Sequence, residues 1–131
     1  MFVGVRHGAQ LARLYASMDV FAHTGPYETF GQAVQEAMAS GLPVVAPAAG
    51  GPIDLVDHGR TGYLVPPFEA GGFTAAVARL AGSAELRLAF GSAGRAAIEG
   101  RSWSAVGDEL IGHYRAAVEF AGADRRLAVA A

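Results

Sequence analysis

Residues 19–46 read DVFAHTGPYETFGQAVQEAMASGLPVVA, and this stretch decides the fold class. Val20-Phe21-Ala22-His23 is a short apolar run entered from Asp19, and Leu42-Pro43-Val44-Val45-Ala46 repeats that form after Gly41. Short apolar runs bounded by turn residues predict buried strands. Between them Thr24-Gly25-Pro26-Tyr27-Glu28 predicts a turn. Phe30, Ala33, Val34, Ala37 and Met38 then form one helical stripe over residues 30–40, with Gly41 as its C-cap. Strand, helix and strand at this spacing require a right-handed crossover and hence a parallel pair.

Working outward, Leu11, Leu14, Tyr15 and Met18 recur at i, i+3, i+4, i+7, with Gln10, Arg13 and Ser17 opposite, which predicts an amphipathic helix over 8–18. Downstream, the loop Pro47-Ala48-Ala49-Gly50-Gly51-Pro52 leads to a helical turn near Ile53–Val56. Thr61-Gly62 introduces a third strand, Tyr63-Leu64-Val65, which Pro66-Pro67 stops. Three helical stripes follow: Phe73/Ala76/Val77/Leu80, Leu86/Ala89/Phe90/Ala93/Ala97 and Val106/Leu110/Tyr114/Ala117/Val118. Residues 1–121 are expected to form one partial domain and Gly122 to Ala131 a disordered tail. The expected class is α/β: the second half of a doubly wound, Rossmann-like parallel sheet with C-terminal helices, its first half expected before Met1.

Composition narrows the chemistry. The chain has 131 residues, 52% apolar and 17% charged, which suits one globular domain. It lacks cysteine, which excludes disulfides, thiolate-bound metals and thiol nucleophiles. All ten basic residues are Arg, so Schiff-base and P-loop lysines are excluded too. A net charge of -2 with no basic cluster argues against nucleic acid. No apolar run approaches the ~20 residues of a membrane span, and Met1 to Arg6 lacks a signal-peptide layout, so a cytoplasmic protein is expected.

In open α/β sheets ligands bind beyond the carboxyl ends of the strands, here the loops 23–31 and 47–52. The N–H groups of Phe30, Gly31 and Gln32 begin the helix and attract an anion, and Gly31 lets a phosphate approach. Glu28 stands before that helix, and Glu36 lies in it with Gln32 four residues earlier. Carboxylates beside an anion-seeking helix end suit a ligand that carries both hydroxyls and phosphate, as a sugar nucleotide does. The plainer alternative makes Glu28 a helix cap and Glu36 a solvated helix residue. His23, at a strand's carboxyl end, is open between a hydrogen-bonded structural role and a sugar contact, whereas His7, His58 and His113 read as ordinary surface residues. Ser40 and Thr61 have no His/Asp arrangement to activate them. Gly50-Gly51 lacks the dinucleotide-binding glycine pattern, and no Asp-x-Asp or His/carboxylate cluster offers a metal site, so no metal cofactor is expected.

Taken in order, several segments resemble the retaining, nucleotide-sugar-dependent glycosyltransferases of the GT-B fold, family 4 or group 1. They are Phe2-Val3-Gly4, Leu14 to Phe21, Glu28-Thr29-Phe30-Gly31, Glu36 to Ala46, Gly50-Gly51, Asp54-Leu55-Val56, Gly59, Thr61 to Pro67 and Ser102-Trp103, covering residues 2 to about 118. The resemblance implies that Glu28 faces the transferred hexose as the catalytic residue, that the N–H groups of Phe30, Gly31 and Gln32 hold the distal phosphate, and that Glu36 binds the ribose hydroxyls. His23 to Glu28 and Gln35 to Met38 are similar to actinobacterial GDP-mannose-dependent α-mannosyltransferases. That implies mannose from GDP-mannose as donor and a lipid or sugar acceptor. It also implies work at the inner face of the membrane by peripheral association. Trp103 becomes an anchor for docking the last helix.

His23-Thr24 replaces the Pro-Ser of many members, and Asp54 replaces Glu. The acceptor domain and the Arg/Lys pair for the diphosphate are expected elsewhere. No Arg or Lys lies between Arg13 and Arg60, and a helix N-terminus offers only about half a charge. The chain thus reads as a donor-binding fragment, inactive alone and prone to self-association through its exposed strand edge. The alternative is a truncated or degenerate module that binds without catalysis.

Overall fold

The computed structural model describes the backbone of residues 2–129 and the side chains of 2–121. Nine elements follow one another: α1 (Gly8–Ala16), β1 (Phe21–Ala22), α2 (Gln32–Ala39), β2 (Val44–Pro47), α3 (Pro52–Leu55), β3 (Gly62–Val65), α4 (Ala70–Ala81), α5 (Ala84–Ile98) and α6 (Trp103–Val129). The strands form one parallel sheet in the order β1-β2-β3. Phe21 is in register with Val44, and Val44 with Gly62. Contacts divide the chain between Glu99 and Gly100 into two units.

In the first unit, β2 is the central strand and all four of its residues are buried. Its side chains alternate, as strand geometry requires. Val44 and Ala46 join Tyr15, Val34, Ala37, Met38, Leu42 and Val56 in one core layer. Val45 joins Tyr63, Val65, Leu80 and Phe90 in the other. A strand enclosed on both faces can be apolar without interruption, which accounts for the reading of 42–46. β1 is shorter than the apolar run Val20–His23, although the His23 amide still donates to Val45 O at 2.9 Å.

Local chemistry sets the helix ends. Ser83 caps α5 by accepting from Leu86 N at 3.1 Å. Arg87 reaches back to the last carbonyls of α4, donating to Leu80 O at 2.9 Å and Ala81 O at 3.0 Å, and pairs with Asp19 at 3.7 Å. α2 starts at Gln32, two residues after the predicted Phe30, because Gly31 sits at φ 74°, ψ 34° in the left-handed region. A side chain there would also meet Leu55 Cδ1 at 2.5 Å.

In the second unit, Ser102 Oγ accepts from Ala105 N at 3.1 Å at the start of α6. The helix runs to Val129 and so takes in residues 122–129. After Gly122 no proline or glycine interrupts them. Residues 130 and 131 lie outside the described residues. Among the described residues no helix is long and apolar enough to cross a membrane.

Candidate functional site

The loop that leaves β1 and the loop that leaves β2 meet at the carboxyl edge of the sheet. Gly51 N donates to Glu28 O at 2.8 Å, and a Cβ at Gly50 would overlap that same carbonyl oxygen. The two glycines therefore bring the second loop against the backbone of residue 28, just before α2.

The structure brings Glu28, Phe30 and Gly31 together directly. Glu28 Oε1 accepts from Gly31 N at 2.9 Å and from Phe30 N at 3.1 Å. The glutamate thus caps α2 from outside the helix, as the plainer sequence alternative has it, and fills two of the three N–H groups assigned to phosphate. The Gly31 and Phe30 amides hold the Glu28 carboxyl below its ordinary range, with a smaller contribution from the charge of His23. Helix N-termini stabilise anions of any origin, and here the anion is the chain's own.

Glu36 lies one turn into α2, half-buried, and accepts from Gln32 Nε2 at 3.3 Å. Tyr15 stands behind it from α1, its hydroxyl 3.5 Å from Ala33 O. Burial, the charge of Glu36 and a hydrogen bond to Glu36 push the Tyr15 hydroxyl up to about 12. Tyr15 therefore stays protonated and remains a donor at any physiological pH. Its ring leads through Phe21, centroids 5.7 Å apart, to His23, 6.5 Å further on. This aromatic row runs beneath α2 from Glu36 towards the Glu28 loop.

His23 is partly buried, and its Nε2 is shielded and makes no hydrogen bond. Of its two sequence roles, a ring fixed by hydrogen bonding at that atom is not what the structure shows. Thr61 is buried and accepts from Asp57 N at 2.9 Å, a structural duty in the turn before β3. Asp54 is exposed on α3. Among the described residues, no three or more His, Asp or Glu side chains gather as metal ligands.

A cavity of about 290 Å³ opens at the same sheet edge on the α4 side, lined by Thr24, Pro26, Pro47, Pro66, Phe68, Phe73 and Thr74 among others. Sequence reasoning missed the contribution of residues 66–74. The signal was available, since Pro66-Pro67 ends a third parallel strand at its carboxyl end, where the same ligand rule applies.

The sequence profile described as glycosyl transferases group 1 matches residues 1–97. The chain is 53% identical over 117 residues to a GDP-mannose-dependent alpha-mannosyltransferase of Mycobacterium tuberculosis, an alignment covering 88% of this chain and 30% of that protein. Among solved structures it is similar to a sucrose-phosphate synthase of Thermosynechococcus elongatus, with TM-score 0.81 and 32% identity over 91% of this chain and 30% of the other. It is also similar to the HepE protein of Anabaena in complex with UDP, with TM-score 0.74 and 28% identity over 83% of this chain and 30% of that one. The chain thus spans about 30% of the length of these relatives.

Proposed function

Because the chain belongs to the group 1 glycosyl transferases, we propose that it forms the donor-binding part of a retaining hexosyltransferase that uses mannose from GDP-mannose. The acceptor is a lipid or a sugar, held by protein that this chain does not contain, at the cytoplasmic face of a membrane. Identity to mannosyltransferases supports the choice of donor. The observation that carries the reading is the pair of glutamates set on either side of the amide groups that open α2.

In this reading the Glu36 carboxylate, steadied by Gln32, accepts hydrogen bonds from the ribose hydroxyls. The N–H groups of Phe30, Gly31 and Gln32 take the distal phosphate. Glu28 must then release those amides, and its carboxylate orients the hexose and stabilises positive charge developing at the anomeric carbon. Cations for the diphosphate come from outside this chain, and no metal ion is required of it. The isolated chain yields no transfer product with GDP-mannose, because nothing holds an acceptor in attacking geometry. Its unpaired β1 edge also drives self-association.

GDP titrations followed by NMR test the ribose assignment. Charged hydrogen bonds are worth about 1.5–3 kcal/mol, so Glu36→Gln should weaken GDP by about tenfold or more. A GDP analogue without ribose hydroxyls should bind both proteins alike. Equal GDP affinity in wild type and Glu36→Gln would make Glu36 a solvated helix residue and remove the assignment.

A further inference from the structure

Resting on the donor reading, we propose that His23 is a positioning residue for Glu28. When a phosphate takes the Phe30 and Gly31 amides, the displaced carboxylate accepts a hydrogen bond from His23 Nε2 and turns its other oxygen towards the hexose.

Three observations lead there. The first is occupancy: one Glu28 oxygen holds both amides, so an incoming phosphate and this carboxylate compete for the same donors. The second is His23 itself, whose Nε2 is shielded and unpartnered. Shielded polar atoms without partners are rare in folded proteins, and each calls for a physical reason. A partner that arrives only in the liganded state is one such reason. The third is placement. Phe21 lies nearly parallel to the imidazole, at 12° with ring centroids 6.5 Å apart. A Cβ added at Gly25 would stand 3.3 Å from Nε2, which places the turn of residue 25 beside that edge of the ring. The charge of His23 also acts on Glu28, in the direction that favours the carboxylate. The loop between them, residues 24–27, is short enough to keep both groups at the same sheet edge. A histidine that donates to a carboxylate fixes its orientation, as outer-sphere partners do for catalytic and metal-binding groups.

The test uses the 131-residue chain labelled with ¹⁵N and inorganic pyrophosphate as the probe. Pyrophosphate should shift the Phe30 and Gly31 amides together with His23 Nε2, and the Nε2 response should vanish in Glu28→Ala. Glu28→Ala should bind pyrophosphate about fivefold more tightly, since the competing carboxylate is gone. His23→Phe should weaken pyrophosphate about threefold in the wild-type background and leave Glu28→Ala unchanged; a purely structural histidine would act alike in both. If His23→Phe does not fold, the Nε2 signal of the wild type decides. Shifted amides with an unmoved Nε2 overturn the role of His23 while the phosphate site stands. Amides that pyrophosphate leaves unmoved in both wild type and Glu28→Ala overturn the phosphate assignment of those amides and this role with it.

Discussion

α2 and α5 meet the same physical need in opposite ways. Both begin with backbone N–H groups that the helix cannot satisfy. α5 solves this within itself, through a neutral Ser83 hydroxyl on Leu86 N. α2 begins on Gly31, which has no side chain to offer, and borrows the charged carboxylate of Glu28 from the preceding loop. α4 starts beyond the carboxyl end of β3 and returns, so Ser83 lies at the far end of the sheet from the loops that meet at Glu28. A cap that belongs to its helix is a stability device. On the proposed donor reading, a cap lent by a charged neighbour at that sheet edge is replaceable by a better anion.

The contrast can be broken by substitution. The largest effect should come from Gly31→Ala, which forces a side chain into the left-handed region and against Leu55. It should lose about 2 kcal/mol in urea unfolding. Ser83→Gly, the matching change at α5, should lose only a few tenths of a kcal/mol. If the two losses were alike, Gly31 would be an ordinary cap position. Next in size is Ser83→Ala, expected to cost about 1 kcal/mol at every pH between 4 and 8, because a hydroxyl does not titrate.

Glu28→Ala should be milder than Gly31→Ala and Ser83→Ala, and the only one of the four variants to depend on pH. The Glu28 carboxyl is held below its ordinary range in the folded chain. Its stabilisation is therefore complete above the unfolded-state value and disappears as pH falls through the folded one. Thermal melts of wild type and Glu28→Ala should converge in acid and separate towards neutrality, and added phosphate should narrow the neutral gap. A gap that stays constant from acid to neutral pH would show that Glu28 stabilises by packing rather than by charge.

Residues differ in how plainly the sequence announces them. β2 was legible because Val44, Val45 and Ala46 are enclosed on both faces and need no polar alternation. The start of α2 was less so: Phe30 fits the helical stripe by spacing, yet it is 44% exposed and lies before the helix. A single left-handed glycine leaves no trace in periodicity. At the site, spacing placed Glu28 and Glu36 near one helix end, but spacing does not say which donors a carboxylate takes, and only the folded loop sets Glu28 on Phe30 and Gly31. The unpartnered nitrogen of His23 is a property of surroundings drawn from separate segments, and no local pattern encodes it.

The bond from Gly51 N to Glu28 O, with Gly50 pressed on the same oxygen, fixes the backbone beneath that glutamate. Its carboxylate can therefore travel only by turning about its own side-chain bonds, a motion of picoseconds to nanoseconds, whereas moving a loop takes nanoseconds to microseconds. On the proposed donor reading, exchange of the internal anion for an external one is then far faster than molecular encounter, so diffusion sets the speed of capture. Loosening residues 50–51 would turn a torsional flip into a loop rearrangement, and relaxation dispersion would begin to register it.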